Sequence, residues 1–149
     1  MLSSTSRGAA ASERVPNSSH WRASMLNGIA SCISPDLLAV LHRMGHGDEI
    51  VFADAHFPGH TLGPQVLRAD GIAITRLLDG VLRLGELDSY PIPLVMMDAV
   101  AGENLDSSVE SDYMQVIRKH VPSAPDPERI DRYAFYERAK RAFAITITC

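Results

Sequence analysis

The sequence predicts a layered α/β fold built as a single domain. Two observations carry this prediction. Segments whose apolar residues repeat at helical spacing alternate along the chain with short, strand-length apolar segments. One of these short segments is apolar on both faces, which is typical of a strand in a largely parallel sheet that helices cover. The length of 149 residues fits one domain with a real core.

The first helix is predicted to begin at Ser34-Pro35-Asp36, which supplies an N-cap, a proline at the first helical position and an acid in the first turn. Its apolar stripe is Leu37, Leu38, Leu41 and Met44. Gly45 can take the left-handed conformation that ends a helix. Glu49–Ala53 follows as the strand that is apolar on both faces.

The remaining elements continue the alternation. Further helices are predicted over Thr75–Leu84, from Ser107 or Ser108 onward, and over Phe135–Ala142. Further strands are predicted over Pro93–Met97 and over the β-branched segment Phe143–Thr148. Residues 1–24 hold seven serines and three arginines with no apolar periodicity, so they are expected to form a disordered extension. That extension resembles an organellar transit peptide, although a tail before a start at Met25 is the favoured interpretation.

Composition excludes several classes of function. The net charge of −4 and the absence of a basic stripe with aromatics argue against nucleic-acid binding. No apolar run reaches the roughly 18 residues that would span a bilayer, so no membrane partner is expected. The two cysteines, Cys32 and Cys149, form no C-x-x-C pattern, and so few thiols favour a reducing, cytoplasmic location.

His46 and Asp54 are the first candidate site residues. His46 lies between two glycines after a predicted helix, and a histidine can give or take a proton near neutral pH. Asp54 ends the first strand, and ligands of open α/β sheets gather beyond the carboxyl ends of strands. We expect both side chains at one rim of the sheet. Alternatively, His46 caps the helix and Asp54 is a turn residue that bonds its own backbone.

Two further groups carry polar side chains. His56 and His60 lie near Asp54 and raise the question of a metal site, but Phe57-Pro58-Gly59 interrupts any helix that would align them, so loop histidines are favoured. Arg132 to Arg138 is dense in aromatic and charged residues. Its tyrosines and arginines suit a sugar site, whereas core packing of Phe135 and Tyr136 is the favoured alternative.

Five segments of the chain resemble the ribose-pyranase-like (RbsD/FucU) family. They are Met-Gly-His-Gly-Asp-Glu-Ile (44–50), Ala-Asp-Ala-His-Phe-Pro (53–58), Gly-Pro-Gln-Val-Leu-Arg-Ala-Asp-Gly (63–71), Glu-Leu-Asp-Ser-Tyr (86–90) and Ala-Phe-Tyr-Glu-Arg-Ala (134–139). The resemblance runs from about Met25 to Thr148. It implies a three-layer α/β/α fold with a mixed sheet, and ring-shaped homo-oligomers that are often decamers of two stacked pentamers.

The resemblance also implies a function. Members of this family interconvert the α and β anomers of an unprotected sugar without a cofactor or a metal. His46 matches the catalytic histidine of the family, and Asp54 and Arg132 match its sugar-binding residues. Tyr136 stands where fucose-type members have a catalytic tyrosine, so the implied substrate is L-fucose. One positioned acid–base group contributes roughly 10²–10⁴-fold to such a proton transfer.

The C-terminus departs from the family pattern. Members continue beyond the position of Cys149 with a Tyr-Gly-Asn segment of the sugar site and a final strand, so residues 25–149 are expected to form a domain whose C-terminal strand is truncated. If that end is genuine, the sheet keeps an unpaired edge. The alternative function is then a catalytically impaired module for sugar binding or assembly.

Overall fold

The computed structural model describes residues 26–89, 92–98 and 107–148, with the backbone alone at Ser107. The predicted disorder of residues 1–24 and the position of Cys149 lie outside these ranges. The described elements, in chain order, are α1 (Pro35–Arg43), β1 (Ile50–Ala53), α2 (Gly59–Leu62), β2 (Gln65–Ala69), α3 (Ile74–Val81), β3 (Val95–Met97), α4 (Ser107–His120), β4 (Glu128–Ile130), α5 (Arg132–Ala139) and β5 (Ala144–Thr148).

All described strand pairs are parallel. β5 is the middle strand of a three-stranded sheet, and its first residue, Ala144, is in register with Ile50 of β1 and with Gln65 of β2. β3 and β4 form a separate two-stranded sheet. The predicted α/β class is confirmed. The implied mixed sheet would need an antiparallel pair, and the strands in the described part of the chain form none.

Helices cover both faces of the three-stranded sheet, because alternate residues of β5 point to opposite sides. Ala144 packs in one core with residues of α1 and α3, among them Val40 and Leu77. Ile145 and Ile147 pack on the other face, in a core that includes residues of α2 and α5. The three-layer arrangement is therefore present in this unit.

Local contacts explain where the helices begin. Ser34 caps α1, and its hydroxyl accepts a hydrogen bond from the backbone N–H of Leu37 at 3.1 Å, as the sequence predicts. The predicted left-handed ending at Gly45 is wrong, because Met44 ends the helix in an extended conformation and the positive φ of +81° belongs to Gly47. In α2, Gly59 lies so close to β5 that a Cβ atom would stand 2.8 Å from Cδ1 of Ile147.

A polar cluster joins α3 to α4. One carboxylate oxygen of Asp79 accepts a hydrogen bond from Nζ of Lys119 at 2.7 Å and lies 2.9 Å from Nε2 of His120. These two contacts lower the pKa of Asp79 from 3.8 to about 2. Met114 and Ile117 of α4 belong to a third core, separate from the two cores of the three-stranded sheet.

Two threonines of β5 are buried beneath α1 and α3. The hydroxyl of Thr148 donates a hydrogen bond to the backbone oxygen of Ala53 at 3.3 Å. The buried hydroxyl of Thr146 has no hydrogen-bond partner among the residues that the structure describes. The parallel direction of β1, β5 and β2 also gives this sheet two distinct ends. We call the end where these strands begin the amino edge and the end where they finish the carboxyl edge.

No helix within the described ranges is long and apolar enough to cross a membrane.

Candidate functional site

Asp54 lies at the carboxyl edge, directly after β1. Its side chain is exposed, and its Oδ1 accepts a hydrogen bond from the backbone N–H of His56 at 2.8 Å. This is the local turn contact that the sequence offered as an alternative to a binding role. The contact also fixes the direction of the carboxylate, which stays accessible to solvent and to a ligand.

Tyr136 is placed near the same edge by aromatic packing. The ring of Phe57 meets the ring of Tyr136 edge to face, with centroids 5.6 Å apart, and meets the ring of Phe135 at 5.9 Å. Phe57 is itself tied to Asp54, because its backbone N–H donates a hydrogen bond to the backbone carbonyl oxygen of Asp54 at 3.2 Å. Packing of Phe135 and Tyr136, the favoured alternative from the sequence, is thus present, and it places the half-buried Tyr136 beside the Asp54 turn.

Arg132 occupies the start of α5, one helical turn before Tyr136. Residues four apart on a helix are neighbours, with Cβ atoms about 5–6 Å apart. Asp131 caps the helix by accepting hydrogen bonds from the backbone N–H groups of Tyr133 and Ala134. The exposed Arg132 guanidinium lies 5.6 Å from the centre of the Tyr133 ring. The carboxyl edge therefore gathers a carboxylate, a guanidinium and a phenol.

Tyr113 of α4 adds a second phenol whose charge state is influenced by this region. Burial raises the pKa of Tyr113, and the negative charges of Asp54 and Asp112 raise it further. The phenol therefore stays protonated at neutral pH, as a hydrogen-bond donor must. The side chain of Tyr113 is half-buried.

His46 lies at the amino edge, in the loop between α1 and β1. Its side chain is 91% exposed, and its Nδ1 lies 3.4 Å from Oδ2 of Asp88. The same Asp88 oxygen accepts a hydrogen bond from the backbone N–H of Gly47 at 2.9 Å. The Gly47 hydrogen bond lowers the pKa of Asp88, and the hydrogen bond with His46 adds to that effect. Asp88 therefore holds the loop and faces the imidazole as an anion.

Sequence reasoning missed this role of Asp88. The residue belongs to the Glu-Leu-Asp-Ser-Tyr segment that contributes to the family resemblance, but it stands 41 positions away from Gly47. The signal in the sequence was this motif, which contains Asp88 but gave no indication of its role. Only the fold shows that this aspartate meets the histidine loop.

The expectation that His46 and Asp54 share one rim is wrong. His46 precedes β1 and Asp54 follows it, so the two lie toward opposite ends of a four-residue strand. At about 3.3 Å per residue, that strand alone spans roughly 13 Å. The structure thus brings Asp54, Arg132 and Tyr136 to the carboxyl edge and leaves His46 with Asp88 at the amino edge.

Beside His46, an open groove of about 340 Å³ is lined by Gly47, Asp48, Glu49, Arg138 and Arg141. Two hydrogen bonds of 2.8 Å join the Arg138 guanidinium to the Glu49 carboxylate. The bonds to Glu49 raise the pKa of Arg138. This groove gives the amino edge a polar recess next to the exposed imidazole.

Within the described ranges, no three His, Cys, Asp or Glu side chains are grouped so that they could hold a metal ion, and this includes Asp54, His56 and His60.

The fold and these residues define an α/β protein with polar groups at both edges of a covered parallel sheet. A family model described as the RbsD / FucU transport protein family matches residues 27–149. The chain belongs to this family, and the resemblance inferred from the sequence is confirmed.

Three solved structures are similar to this chain. The fucose mutarotase from Streptococcus pneumoniae, in complex with L-fucose, is 40% identical over 83% of this chain and 88% of its own, with a TM-score of 0.75. FucU from Bifidobacterium longum is 35% identical over 81% and 87%, with a TM-score of 0.77. Protein Atu2016, for which sugar binding has been proposed, is 28% identical over 86% and 89%, with a TM-score of 0.76.

Proposed function

We propose that this protein is a sugar mutarotase that interconverts the α and β anomers of L-fucose. The observation that carries the proposal is the 40% identity, over 83% of this chain, to a fucose mutarotase whose structure contains L-fucose. The polar groups at the two edges of the sheet suit such a substrate, since they include proton carriers and groups that bind hydroxyls. The proposed reaction needs neither a cofactor nor a metal, because proton transfers are enough to break and re-form the C–O bond of the hemiacetal.

The proposed chemistry opens and recloses the sugar ring. A base takes the proton of the anomeric hydroxyl, an acid protonates the ring oxygen, and the bond between that oxygen and the anomeric carbon breaks. The resulting aldehyde turns, and the former ring oxygen, now a hydroxyl of the open chain, attacks its other face. The protons are returned in the reverse order. We assign His46 as the main proton carrier and Tyr136 as its assistant. Each positioned group contributes roughly 10²–10⁴-fold.

Asp54 and Arg132 are assigned to hold the sugar. The exposed carboxylate of Asp54 can accept hydrogen bonds from two neighbouring hydroxyls, and the Arg132 guanidinium can donate to ring or hydroxyl oxygens. Both lie at the carboxyl edge with Tyr136. Asp88 is assigned to orient the His46 imidazole, because a carboxylate facing Nδ1 favours the tautomer with the proton on that nitrogen and leaves Nε2 as the base.

The separation of His46 from Asp54, which lie toward opposite ends of β1, suggests that a second copy of the chain completes the site. We propose that the His46 loop of one protomer enters the site formed by Asp54, Arg132 and Tyr136 of the next. The 91% exposure of the His46 side chain supports this arrangement, because a proton carrier that faces solvent in one chain is available to another. Contacts between different surfaces of identical chains build a ring when the rotation between neighbours closes, in keeping with the ring-shaped homo-oligomer that the sequence led us to expect.

Replacement of His46 by alanine tests the function. Saturation-transfer NMR on L-fucose measures how fast the two anomers exchange. We expect the native protein to accelerate exchange and His46→Ala to lose at least about 100-fold of that acceleration. His42→Ala is the matched control, because His42 is an exposed histidine of α1 in the turn before the loop. Full activity in His46→Ala would remove the assignment.

A sugar-binding module without catalysis is the second candidate. The similarity to protein Atu2016, for which sugar binding has been proposed, is the observation that favours it. The same NMR experiment separates the two candidates. Saturation transferred from the native protein to L-fucose, without any gain in the anomer exchange rate, would favour the binding module.

A further inference from the structure

The helix that carries Arg132 and Tyr136 is held by little apolar packing. Ala139 is the fully buried residue of α5, at 1% exposure, and it packs against Ile145 and Ile147 of β5. The first turn has its own anchors in the Asp131 cap and in the contact between Phe135 and Phe57. Tyr136 contacts Phe57 at 5.6 Å, but beyond it Ala139 alone buries little apolar surface, so the last turn of α5 needs another anchor.

Arg138 supplies a directional contact at that point. Its Nε donates to one carboxylate oxygen of Glu49 and its Nη2 donates to the other, both at 2.8 Å. Paired parallel bonds of this kind fix an angle as well as a distance. Glu49 is itself fixed to the sheet, because its backbone oxygen accepts a hydrogen bond from the N–H of Phe143 at 2.8 Å. The pair therefore ties α5 to the amino edge.

The surroundings of this ion pair make it the contact that sets the distance between the Glu49 loop and α5. The groove of about 340 Å³ opens beside Glu49 and Arg138, so packed side chains do not fill the space between loop and helix there. The side chains are 44% and 29% exposed, which makes the pair a modest source of stability. Its geometric effect is larger, since a misplacement of about 1 Å in an active site can cost as much as 100-fold in rate.

We propose that Arg138, acting through Glu49, is a positioning residue that fixes the last turn of α5 and so, together with the Phe57 ring, sets the orientation of Tyr136 in the sugar site. This inference rests on the proposed function, because it takes Tyr136 as a proton-transfer group. Tyr136 lies two residues before Arg138, so a rotation of the second half of α5 moves the phenol. Arg132 lies at the capped end of the helix and moves less.

Arg138→Gln tests the proposal with Lys140→Gln as its matched control. Lys140 is the C-cap residue of the same helix, and its ammonium pairs with Glu137 of that helix at 2.6 Å. We expect Arg138→Gln to lower kcat about tenfold while KM changes by less than about twofold. Lys140→Gln leaves both unchanged. A kcat for Arg138→Gln within about twofold of the native value would overturn the proposal.

Charge exchange separates positioning from a general loss of structure. Glu49→Arg alone lowers kcat, and Glu49→Arg combined with Arg138→Glu recovers most of it, because the exchanged pair can re-form. Absence of any recovery in the double variant would overturn the proposal.

An NMR readout keeps the test independent of the reaction. The edge-to-face contact with Phe57 shifts the ring protons of Tyr136, so these signals report the placement of the phenol. Arg138→Gln moves them and Lys140→Gln does not. If the native protein does not accelerate anomer exchange, the proposed function fails while these signals still decide whether Arg138 places Tyr136. Unmoved Tyr136 signals in Arg138→Gln would overturn the positioning role.

Discussion

The Phe57 ring is predicted to contribute both to the free energy of unfolding and to kcat. Phe57→Leu keeps an apolar side chain in the core of α2, α5 and β5 but removes the two edge-to-face contacts, at 5.6 Å to Tyr136 and 5.9 Å to Phe135. Each such contact contributes about 0.5–1.5 kcal/mol, so we expect the free energy of unfolding to fall by about 1–3 kcal/mol. Tyr136 also loses the ring that orients its phenol, and kcat should fall about tenfold.

Phe52→Leu is the control for this prediction. Phe52 belongs to the same strand-and-turn region, but it packs on the opposite face of the sheet, in the core of α1 and α3. This substitution should lower the free energy of unfolding by about 1 kcal/mol and leave kcat unchanged. Urea unfolding gives the first quantity, and anomer exchange by NMR gives the second. Equal loss of kcat in the two variants would refute the orienting role of Phe57.

Three further outcomes are expected. Asp88→Asn should slow anomer exchange about tenfold, because the imidazole of His46 loses its facing carboxylate; an unchanged rate contradicts this. Asp79→Asn should lower the melting temperature above pH 3.8. The difference in melting temperature between Asp79→Asn and the native protein should disappear as the pH falls through about 2, because the native carboxylate becomes protonated there and its stabilising contacts are lost. A difference that does not depend on pH would contradict this prediction. In urea, Thr146→Val should raise the free energy of unfolding by about 1 kcal/mol by removing a buried hydroxyl that has no described partner, whereas Thr148→Val should lower it by a similar amount. Destabilisation by Thr146→Val would show that its hydroxyl is paired.

Local signals in the sequence were enough for much of the fold. The cap at Ser34 located α1, and the continuous apolar run before Asp54 located β1. The β-branched segment near the C-terminus located β5, the central strand. In each case the residues that pack also follow one another in sequence, so a pattern of a few positions is sufficient.

Three short elements were not predicted. In β2 (Gln65–Ala69) the exposed residues Gln65 and Arg68 are three positions apart, so the two-residue period of a strand is missing. Two of the three residues of β4 (Glu128–Ile130) are exposed, and α2 (Gly59–Leu62) is a single turn that follows a proline. Segments this short have no detectable period, and contacts with neighbouring strands and helices determine their secondary structure.

The candidate site residues came mainly from the family resemblance, and their arrangement came from the structure. His46 and Asp54 were predicted to be neighbours because they are eight positions apart in the sequence. The extended strand β1 lies between them, so they are at its opposite ends. The contact of Asp88 with the His46 loop depends on chain segments about 40 positions apart. Local patterns contain no information about such a contact.

A mixing experiment tests the central claim that two copies of the chain complete each site. His46→Ala and Tyr136→Phe proteins, each nearly inactive alone, are unfolded together in equal amounts and refolded. If His46 of one protomer serves Tyr136 of the next, about one quarter of the sites in random rings contain both native groups, and anomer exchange returns to about a quarter of the native rate. If each site lies within one chain, every site contains one of the two substitutions. The mixture would then stay as inactive as its components, contradicting the account.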